Sequence, residues 1–452
     1  MARFVKEPAR RIPVCCRYDV VIAGGGPGGI GAAVAAARAG AKTLLIERAG
    51  FLGGMSTGGL VPCFAPFNYT GGKEPVYRGI ALEVLKRVWA AGGGGFRTGS
   101  LDWPTTDNEI LKRIYDEMVE EAGVDVLFFT LVSDVLKSGR TVKGVVIENK
   151  AGRQAVEGKT FIDATGDADL AVRAGVPCHK GGAKGEMQGV SLCFTVAGVE
   201  AEKWWTFYRK RFKTNGPLTV WLQECQAKGT LPRVPDSEYR MISQHKLSAS
   251  VMDLNFGHVF GIDGTDPAQV SRAMVFGRRL AHNFVAFARK RMTGWKDARI
   301  VSTASLLGVR ETRRIRGRVT ATMNDFHASR HFPDDIAVCD YPIDVHASST
   351  SRRDGERVFR EMETLAQPPG KTYGVPFRSL VPKTLDNLLV VGRSISTDRT
   401  LQGSSRIMPI CFATGEAAGL ASAMAIRSRK APANVDTSKL RAALRKAGAR
   451  ID

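Results

Sequence analysis

The stretch from Tyr18 to Gly59, YDVVIAGGGPGGIGAAVAAARAGAKTLLIERAGFLGGMSTGG, decides the fold of this chain. An apolar run at 20–23 leads into a glycine-rich turn, and an alanine-rich segment follows and ends near Gly40. A second apolar run, 43–46, ends next to the acidic residue Glu47. A strand, a glycine turn, a helix and a second strand that ends at an acid are typical of a βαβ unit that binds a dinucleotide.

Three glycines and one acid give the predicted turn its chemistry. Gly24 permits a sharp reversal of the chain, Gly26 leaves the backbone bare for a pyrophosphate, and Gly29 lets the helix pack closely on the sheet. The free N–H groups and the dipole of the helix attract the phosphate charge. Glu47 follows the second strand, where its carboxylate would accept hydrogen bonds from a ribose hydroxyl.

A second glycine-rich loop follows the acid and favours a flavin over a nicotinamide. Glu47 and Arg48 are followed closely by the segment 53–59, GGMSTGG. A flavin needs a second stretch of bare backbone, because the chain passes its pyrophosphate and then its ring. A simple nicotinamide domain has no such need. The alternative is a flexible surface loop, since glycine clusters commonly mark loops.

The composition of the 452 residues argues against several classes of protein. No apolar run is long enough to cross a bilayer, and residues 1–16 lack the apolar core of a secretory signal, so we expect a cytoplasmic protein without a membrane span. The eight cysteines form no C-x-x-C pair, so no metal site is predicted. The net charge of +21 suits cofactor phosphates or an acidic substrate. A nucleic-acid partner is less favoured, because no known binding module accompanies the basic clusters.

The rest of the pattern predicts an α/β fold in which a Rossmann-like domain, with a parallel sheet plus an antiparallel meander, carries an inserted α+β domain. Strand-like runs at 124–135, 141–148 and 154–156 form the meander, and a further strand within 159–167, which ends in a tight turn, returns the chain to the sheet. The predicted boundaries are 15–186 for the first part of the cofactor-binding domain, 187–372 for the substrate or cap region, 373–430 for the return segment and 431–452 for a basic C-terminal helix or tail.

Two further local patterns bear on the site. The runs 299–305 and 315–322 are predicted to be paired strands. Residues 405–409 are predicted to open a helix that continues to Ala425 and whose positive N-terminus would stabilise a reduced flavin by about 1 kcal/mol. The alternative for this segment is an ordinary well-packed C-terminal helix.

The chain resembles a known family in several separated segments. It is similar to the FAD-dependent oxidoreductases of the glutathione-reductase-like structural class, and more closely to the broad FAD-dependent oxidoreductase family that includes the flavin part of heterodisulfide reductase. The matching pieces, which keep their order over nearly the full length, are GGGPGGIGAAVAAARAGAKTLLIER, FLGGMSTGG, FIDATGDADLA, LLGVRETRRIRG, YPIDVH, PFRSLVP and NLLVVGRSIS through SSRIMPICFATGEAAG. The cysteine clusters of heterodisulfide reductases are missing here, which argues against electron bifurcation.

The resemblance implies a noncovalent FAD in an extended pose. The residues expected to bind it are Gly24, Gly26, Gly28, Gly29, Glu47 and Arg48 at the ADP half, Gly53, Gly54, Ser56 and Thr57 at the pyrophosphate and ring, Gly166 and Asp167 in the nucleotide site, and Gly392, Arg393 and Arg406 at the ring end.

His346, Arg310 and Glu311 are the predicted catalytic residues. An arginine suits a bidentate grip on a carboxylate or phosphate, and a histidine could remove a proton while hydride leaves the substrate. Further candidates are Arg313, Arg314, Asp344, Tyr373 and Arg378. Several alternatives stay open: the loop 310–314 could be an internal ion-pair network, His346 could be structural, and Cys63 could have a redox or covalent role beside the flavin.

These residues predict an FAD-dependent oxidoreductase that transfers hydride between a small metabolite, for which an anionic group would suit the arginines, and flavin N5. A dehydrogenase or oxidase is the leading hypothesis. The alternatives are a reductase of an activated C=C bond and an RNA-associated flavoprotein. The identity of the substrate, the electron acceptor and the oligomeric state are not predicted.

Overall fold

A computed structural model describes residues 5, 8–68, 72, 74–351, 354 and 365–452. The N-terminal segment behind the expectation of a cytoplasmic protein therefore lies partly outside the described residues. The strands, numbered along the chain, are β1 (Val14–Ala23), β2 (Thr43–Ile46), β3 (Asp125–Leu127), β4 (Leu131–Ser138), β5 (Thr141–Asn149), β6 (Gly152–Asp163), β7 (Cys178–Lys180), β8 (Phe194–Ala197), β9 (Ser237–Lys246), β10 (Val251–Val259), β11 (Arg299–Thr303), β12 (Arg313–Ile315), β13 (Asp335–Cys339), β14 (Tyr373–Pro376) and β15 (Leu388–Val390). The α-helices are α1 (Pro27–Arg38), α2 (Ile80–Ala90), α3 (Asn108–Glu121), α4 (Asp169–Arg173), α5 (Ala201–Arg211), α6 (Asn215–Ala227), α7 (Pro267–Arg291), α8 (Met323–His327), α9 (Arg399–Ser405), α10 (Met408–Ser428) and α11 (Thr437–Lys446).

The main sheet confirms the predicted Rossmann-like architecture with an antiparallel meander. Within the described residues its strand order is β3-β2-β1-β6-β5-β4, and β15 also pairs with β6. The pairs among β1, β2, β3, β6 and β15 are parallel, whereas β4, β5 and β6 form the antiparallel meander. The carboxyl ends of the parallel strands therefore meet at one edge, where α/β sheets bind their ligands.

Strand β6 is longer than the sequence pattern indicates. The two predicted strands, at 154–156 and within 159–167, are one continuous strand, so their separation was wrong. The first half of β6 pairs with β5, and its last residues, Phe161 to Asp163, pair with β15 on the same side. Because β1 runs along the other side of β6 throughout, this strand connects the N-terminal and C-terminal parts of the domain.

Helices α1 and α10 pack against each other at very short distance. A Cβ on Gly415 of α10 would overlap the carbonyl oxygen of Gly28 on α1, and one on Gly419 would overlap that of Ala32. Helix α10 is long and apolar enough to cross a membrane by length and composition alone, but 78% of its apolar window is buried inside the protein. Its apolar character therefore has a sufficient explanation in the core of this domain.

The chain between β7 and β12 forms a second body with its own core. Its sheet has the order β11-β8-β10-β9, and α5, α6 and α7 pack with it. The core contains many aromatic side chains and draws its buried residues from positions 190–309. Buried residues from 321 to 343 belong to the first core instead. The observed α+β body confirms the predicted insertion, whereas the domain boundaries stay predictions.

The predicted pairing of 299–305 with 315–322 was wrong. Strand β11 pairs with β8 in the second body, and β12 pairs with β7 near the main sheet. The loop between them, 304–312, therefore passes from the second body to the first and lies between the two cores. This position makes the loop part of the candidate site.

Candidate functional site

The turn after β1 has the geometry that a dinucleotide requires. Gly24 has a φ of +100°, and a Cβ there would lie 2.5 Å from the carbonyl oxygen of Ala164. The position of a Cβ on Gly26, in contrast, has no atom within 4 Å. Gly26 is also the N-cap of α1, and among the described residues no side chain caps this helix end. Bare backbone therefore faces open space at a helix N-terminus, which suits a pyrophosphate.

Glu47 stands beside this turn, directly after β2. Its Oε2 accepts a hydrogen bond from the N–H of Gly25 at 2.7 Å, and its Oε1 accepts one from the N–H of Ala49 at 2.8 Å. A carboxylate oxygen has a second lone pair, so each oxygen keeps the capacity to accept a ribose hydroxyl. Glu47 is buried, whereas the neighbouring Arg48, also predicted to bind the cofactor, is exposed. The turn, the acid and α1 thus lie together as the sequence predicts.

The second glycine-rich loop lies against the first. The N–H of Gly53 donates to the carbonyl of Gly25 at 2.8 Å, and a Cβ on Gly54 would lie 3.1 Å from the Cα of Gly26. The hydroxyls of Ser56 and Thr57 are buried and donate to backbone carbonyls of the same loop. These two side chains hold the loop together, so their backbone atoms are the groups left for contact with a cofactor.

The return segment places an arginine over the end of β6. Arg393 donates to the carboxylate of Asp167 at 2.8 Å, and its guanidinium lies over Gly166. Asp167 also accepts from the hydroxyl of Thr312 at 2.6 Å. Gly392, which precedes Arg393, follows β15 and takes a φ of +75°. Four residues predicted to bind the cofactor, from two distant segments, are therefore in one place.

The N-terminus of α10 and the loop before it form the ring end of the candidate site. Among the described residues no side chain caps this helix, whose first turn contains Pro409. Several buried polar atoms nearby have no hydrogen-bond partner in the described part of the chain: Arg393 Nε, Gln402 Oε1, Ser405 Oγ and Arg406 Nε. Unpartnered buried groups of this kind are costly unless a ligand satisfies them. Together with the open space at Gly26, they fit an extended FAD.

A cluster of charged side chains lies next to this end. Arg406 donates to the carbonyl of Asp344 at 2.8 Å and to its carboxylate at 3.2 Å. The other carboxylate oxygen of Asp344 accepts from Nε2 of His346 at 3.1 Å. Burial opposes the charge of Asp344, but the hydrogen bond from His346 and the positive charges of Arg406 and Arg310 hold the pKa of this carboxyl well below its usual range. Asp344 is therefore an anion in the resting site.

Arg310 is buried between the second body and this cluster. It donates to the carbonyl of Gly189 at 2.5 Å and to the hydroxyl of Ser191 at 3.1 Å. No carboxylate of the described residues lies within ion-pair distance of it. Burial, reinforced by the positive charge of Arg406, lowers the pKa of Arg310 to about 9. Its charge is therefore poorly compensated, which suits a residue that holds an anion.

Glu311 has a different environment. Its carboxylate is buried, accepts from Arg399 at 2.8 Å and from the N–H of Gln188 at 2.8 Å, and lies 3.6 Å from Arg314. Arg313 binds the backbone of Asp167 and the carboxylate of Asp169. These contacts correspond to the alternative of an internal ion-pair network within the loop 310–314.

The remaining candidates lie apart from the charged cluster. Arg378 is paired with Asp334 at 2.8 Å, and the hydroxyl of Tyr373 lies 2.8 Å from that of Ser404. Burial raises the pKa of the Cys63 thiol to about 12, which disfavours the thiolate that a covalent or redox role needs. Among the described residues, no group of three or more His, Cys, Asp or Glu side chains could hold a metal ion.

Sequence reasoning missed His258 and Glu238. Nδ1 of His346 lies 3.0 Å from Nε2 of His258, and Nδ1 of His258 lies 3.0 Å from Oε1 of Glu238. Glu238 is on β9 and His258 on β10, so both belong to the second body. The available signal was weak: His258 is one of three polar residues in a largely buried strand and lies 88 positions from His346.

Comparison with known proteins agrees with this arrangement. The family described as FAD dependent oxidoreductase matches residues 19–444. Thiamine thiazole synthase of Methanococcus aeolicus is 35% identical over 162 residues, which cover 34% of this chain and 57% of that protein. Digeranylgeranylglycerophospholipid reductase 2 of Methanothermobacter thermautotrophicus is 31% identical over 223 residues, which cover 45% of this chain and 54% of that protein. The chain thus matches about half the length of these curated relatives.

Solved structures with low sequence identity also align with the chain. A geranylgeranyl bacteriochlorophyll reductase-like protein from Thermoplasma acidophilum aligns with 95% of this chain and 83% of its own length, at 14% identity and a TM-score of 0.45.

Proposed function

This chain belongs to the FAD-dependent oxidoreductase family, and we propose that it transfers hydride between flavin N5 and a small metabolite that carries a carboxylate or phosphate. The cofactor is FAD, and the protein is an enzyme. When bound, FAD supplies a two-electron hydride acceptor at N5. The residues of the chain supply binding, orientation and the handling of protons.

The poorly compensated charge of Arg310 is the observation that carries this proposal. Arg406 lies close enough to Arg310 to lower the pKa of Arg310. Asp344, whose own pKa both arginines lower, is the nearby anion. The buried Arg310 and the half-buried Arg406 beside a single carboxylate leave room for one more negative charge. A substrate carboxylate or phosphate would supply that charge and would accept bidentate hydrogen bonds from a guanidinium.

Asp344 and His346 are proposed to take the proton that leaves the substrate with the hydride. The carboxylate orients the imidazole through the 3.1 Å contact at Nε2. Burial and the nearby Arg310 lower the pKa of His346, which favours the neutral ring that a general base requires. The Asp344 side chain is 26% exposed and that of His346 11% exposed, so Asp344 presents the larger surface to the open site.

Anaerobic bleaching of the FAD spectrum tests the proposal. We expect hydroxy acids, amino acids or phosphorylated alcohols to reduce the flavin, and the matching neutral amides or dephosphorylated alcohols to reduce it at least about tenfold less efficiently, since a hydrogen bond to a charged group contributes about 1.5–3 kcal/mol. Arg310→Gln should remove this preference. Arg209→Gln, at an exposed position of α5, is the matched control. Equal bleaching by charged and neutral partners would refute the anionic substrate.

Reduction of an activated C=C bond is the second candidate, because one curated relative is named as a reductase. This direction needs the same groups with the proton moving from the protein to the substrate. Reoxidation of the chemically reduced enzyme by enoates, in the absence of oxygen, would favour it. Bleaching by a saturated metabolite without such reoxidation would favour the dehydrogenase or oxidase.

A further inference from the structure

Four titratable side chains form one continuous line through the interior. The contacts are Asp344 to His346 at 3.1 Å, His346 to His258 at 3.0 Å, and His258 to Glu238 at 3.0 Å. We call these four residues the His–His chain. It begins at the charged cluster beside Arg406 and ends on β9, so it links the candidate site to the second body.

The three contacts of the His–His chain need three protons. Two neutral imidazoles bring only two N–H groups, and the two contacts with carboxylates use both of them. Nδ1 of His346 and Nε2 of His258 would then face each other at 3.0 Å as two bare lone pairs. A third proton on any member of the chain gives every contact one donor and one acceptor. The geometry therefore fits a chain that accepts a third proton and then carries a net charge of −1.

We propose that the His–His chain is a proton relay that connects the substrate site to solvent, with His258 and Glu238 as positioning and transfer residues behind Asp344 and His346. This inference rests on the proposed function. For each hydride that bound FAD would accept, one proton would pass from the substrate to Asp344, the protons in the line would each move one contact along, and Glu238 would give one proton to water. In the reductive direction every proton moves the opposite way.

The exposure of the four side chains agrees with a proton path whose middle is shielded from solvent. None of the His258 side chain is exposed, and the ring of Phe260 packs against it with centroids 5.6 Å apart. Glu238 is 17% exposed and accepts from Gln223 on α6 at 3.3 Å. Water therefore reaches the Glu238 end, while the middle of the line can move protons only through the two rings.

The charges around the chain keep its proton transferable. Arg310 and Arg406 lie near the Asp344 end, and Arg240 lies 3.6 Å from Glu238 at the other end. Burial lowers the pKa of His258 to about 4, and burial with the charge of Arg310 lowers that of His346. Both rings are therefore neutral at rest, and the proton that leaves the substrate is the third proton of the His–His chain.

Histidine-selective ¹⁵N NMR of the FAD-loaded full chain tests the relay. Because the proton is shared, we expect the nitrogens of His258 and His346 to report one common titration with the same midpoint. Glu238→Gln keeps an acceptor for His258 but removes a charge, so the midpoint should fall by at least about one pH unit. Glu224→Gln, an exposed change on the neighbouring helix α6, is the matched control and should leave the midpoint unchanged. Separate titration of the two rings, or no shift in Glu238→Gln, would overturn the relay.

A kinetic measurement separates a relay from a structural contact. With a substrate found by bleaching, His258→Gln should slow proton-coupled flavin reduction by about 100-fold at unchanged FAD content, and Glu238→Gln should shift the pH profile in the direction of the NMR midpoint. Should His258→Gln not fold, Glu238→Gln decides alone. If no metabolite of the panel bleaches the flavin, the proposed function fails while the titration still tests the proton count. If bleaching succeeds and the rings titrate separately, only the relay is lost.

Discussion

The nucleotide end and the charged cluster of this protein are built in opposite ways. At the nucleotide end, one stretch of about 30 residues supplies the turn, the helix and the acid, and backbone atoms line the open space. At the charged cluster and the His–His chain behind it, Glu238, His258, Arg310, His346 and Arg406 come from five segments, and side chains form the site. The first arrangement suits a cofactor that is common to a whole family, whereas the side chains of the second can differ from one family member to another.

The largest effect should follow from crowding the nucleotide turn. Gly24→Ala places a Cβ 2.5 Å from a carbonyl oxygen at a φ of +100°, so we expect the free energy of unfolding to fall by about 2–4 kcal/mol and FAD to be lost. Gly26→Ala adds the same atom where nothing lies within 4 Å. It should keep the stability but weaken FAD binding at least about tenfold, since the methyl group would occupy the space of the pyrophosphate.

Chemical denaturation and titration with FAD measure these two effects. The pair of variants tests the comparison directly, because one position is crowded by the protein and the other is kept open for the ligand. Full FAD affinity in Gly26→Ala would contradict the placement of the pyrophosphate.

The next effect concerns the ion pair beneath the charged cluster. Arg399→Gln leaves the buried carboxylate of Glu311 with the N–H of Gln188 and, as its cation, the more distant Arg314 at 3.6 Å, and breaking a buried pair in this way costs about 3 kcal/mol or more. Denaturant unfolding of the FAD-free protein measures it. Arg140→Gln breaks an exposed ion pair with Asp386 and should have a far smaller effect. Equal losses in the two variants would show that Glu311 does not depend on Arg399.

The same contrast explains what the sequence could and could not predict. The βαβ unit follows from local pattern because strand, turn, helix and acid are consecutive, and helix α10 follows from the small residues that line it. The pairing of β11 with β8 and of β12 with β7 depends on partners more than 100 residues away, and adjacent strands in sequence were wrongly taken as neighbours in space. His258 has no motif at all, because only the packing of the second body on the first places it beside His346.

A third effect is a pH dependence that arises inside α10. Burial raises the pKa of Glu416 to about 7, although the N–H of Ile80 donates to it at 3.1 Å. Because the folded state holds this proton more tightly than the unfolded state, its contribution to stability is present at low pH and is lost as the pH rises from about 4.5 to about 7. The full change is on the order of 3 kcal/mol.

Denaturant unfolding of Glu416→Gln between pH 4 and 8 measures this contribution. The variant should show a flatter dependence than the native chain over that window. Glu120→Gln, at an exposed position of α3, is the control and should keep the native slope. If the free energy of unfolding of Glu416→Gln fell as steeply with pH as that of the native chain, the titrating group would be another residue.

The smallest effect is expected at Cys63, which lies beyond the second glycine loop, where it could have been mistaken for a reactive group. At a pKa of about 12, its thiolate fraction at pH 8 is about a thousandfold below that of an ordinary thiol with a pKa of 9.0. Iodoacetamide should therefore modify the exposed Cys15 and leave Cys63 intact in the native protein, as mass spectrometry of digests would show. Cys63→Ala should bleach with substrate at the native rate, because no electron or proton passes through the thiol. Fast alkylation of Cys63 together with slow bleaching of Cys63→Ala would move the chemistry away from the charged cluster and toward the second glycine-rich loop.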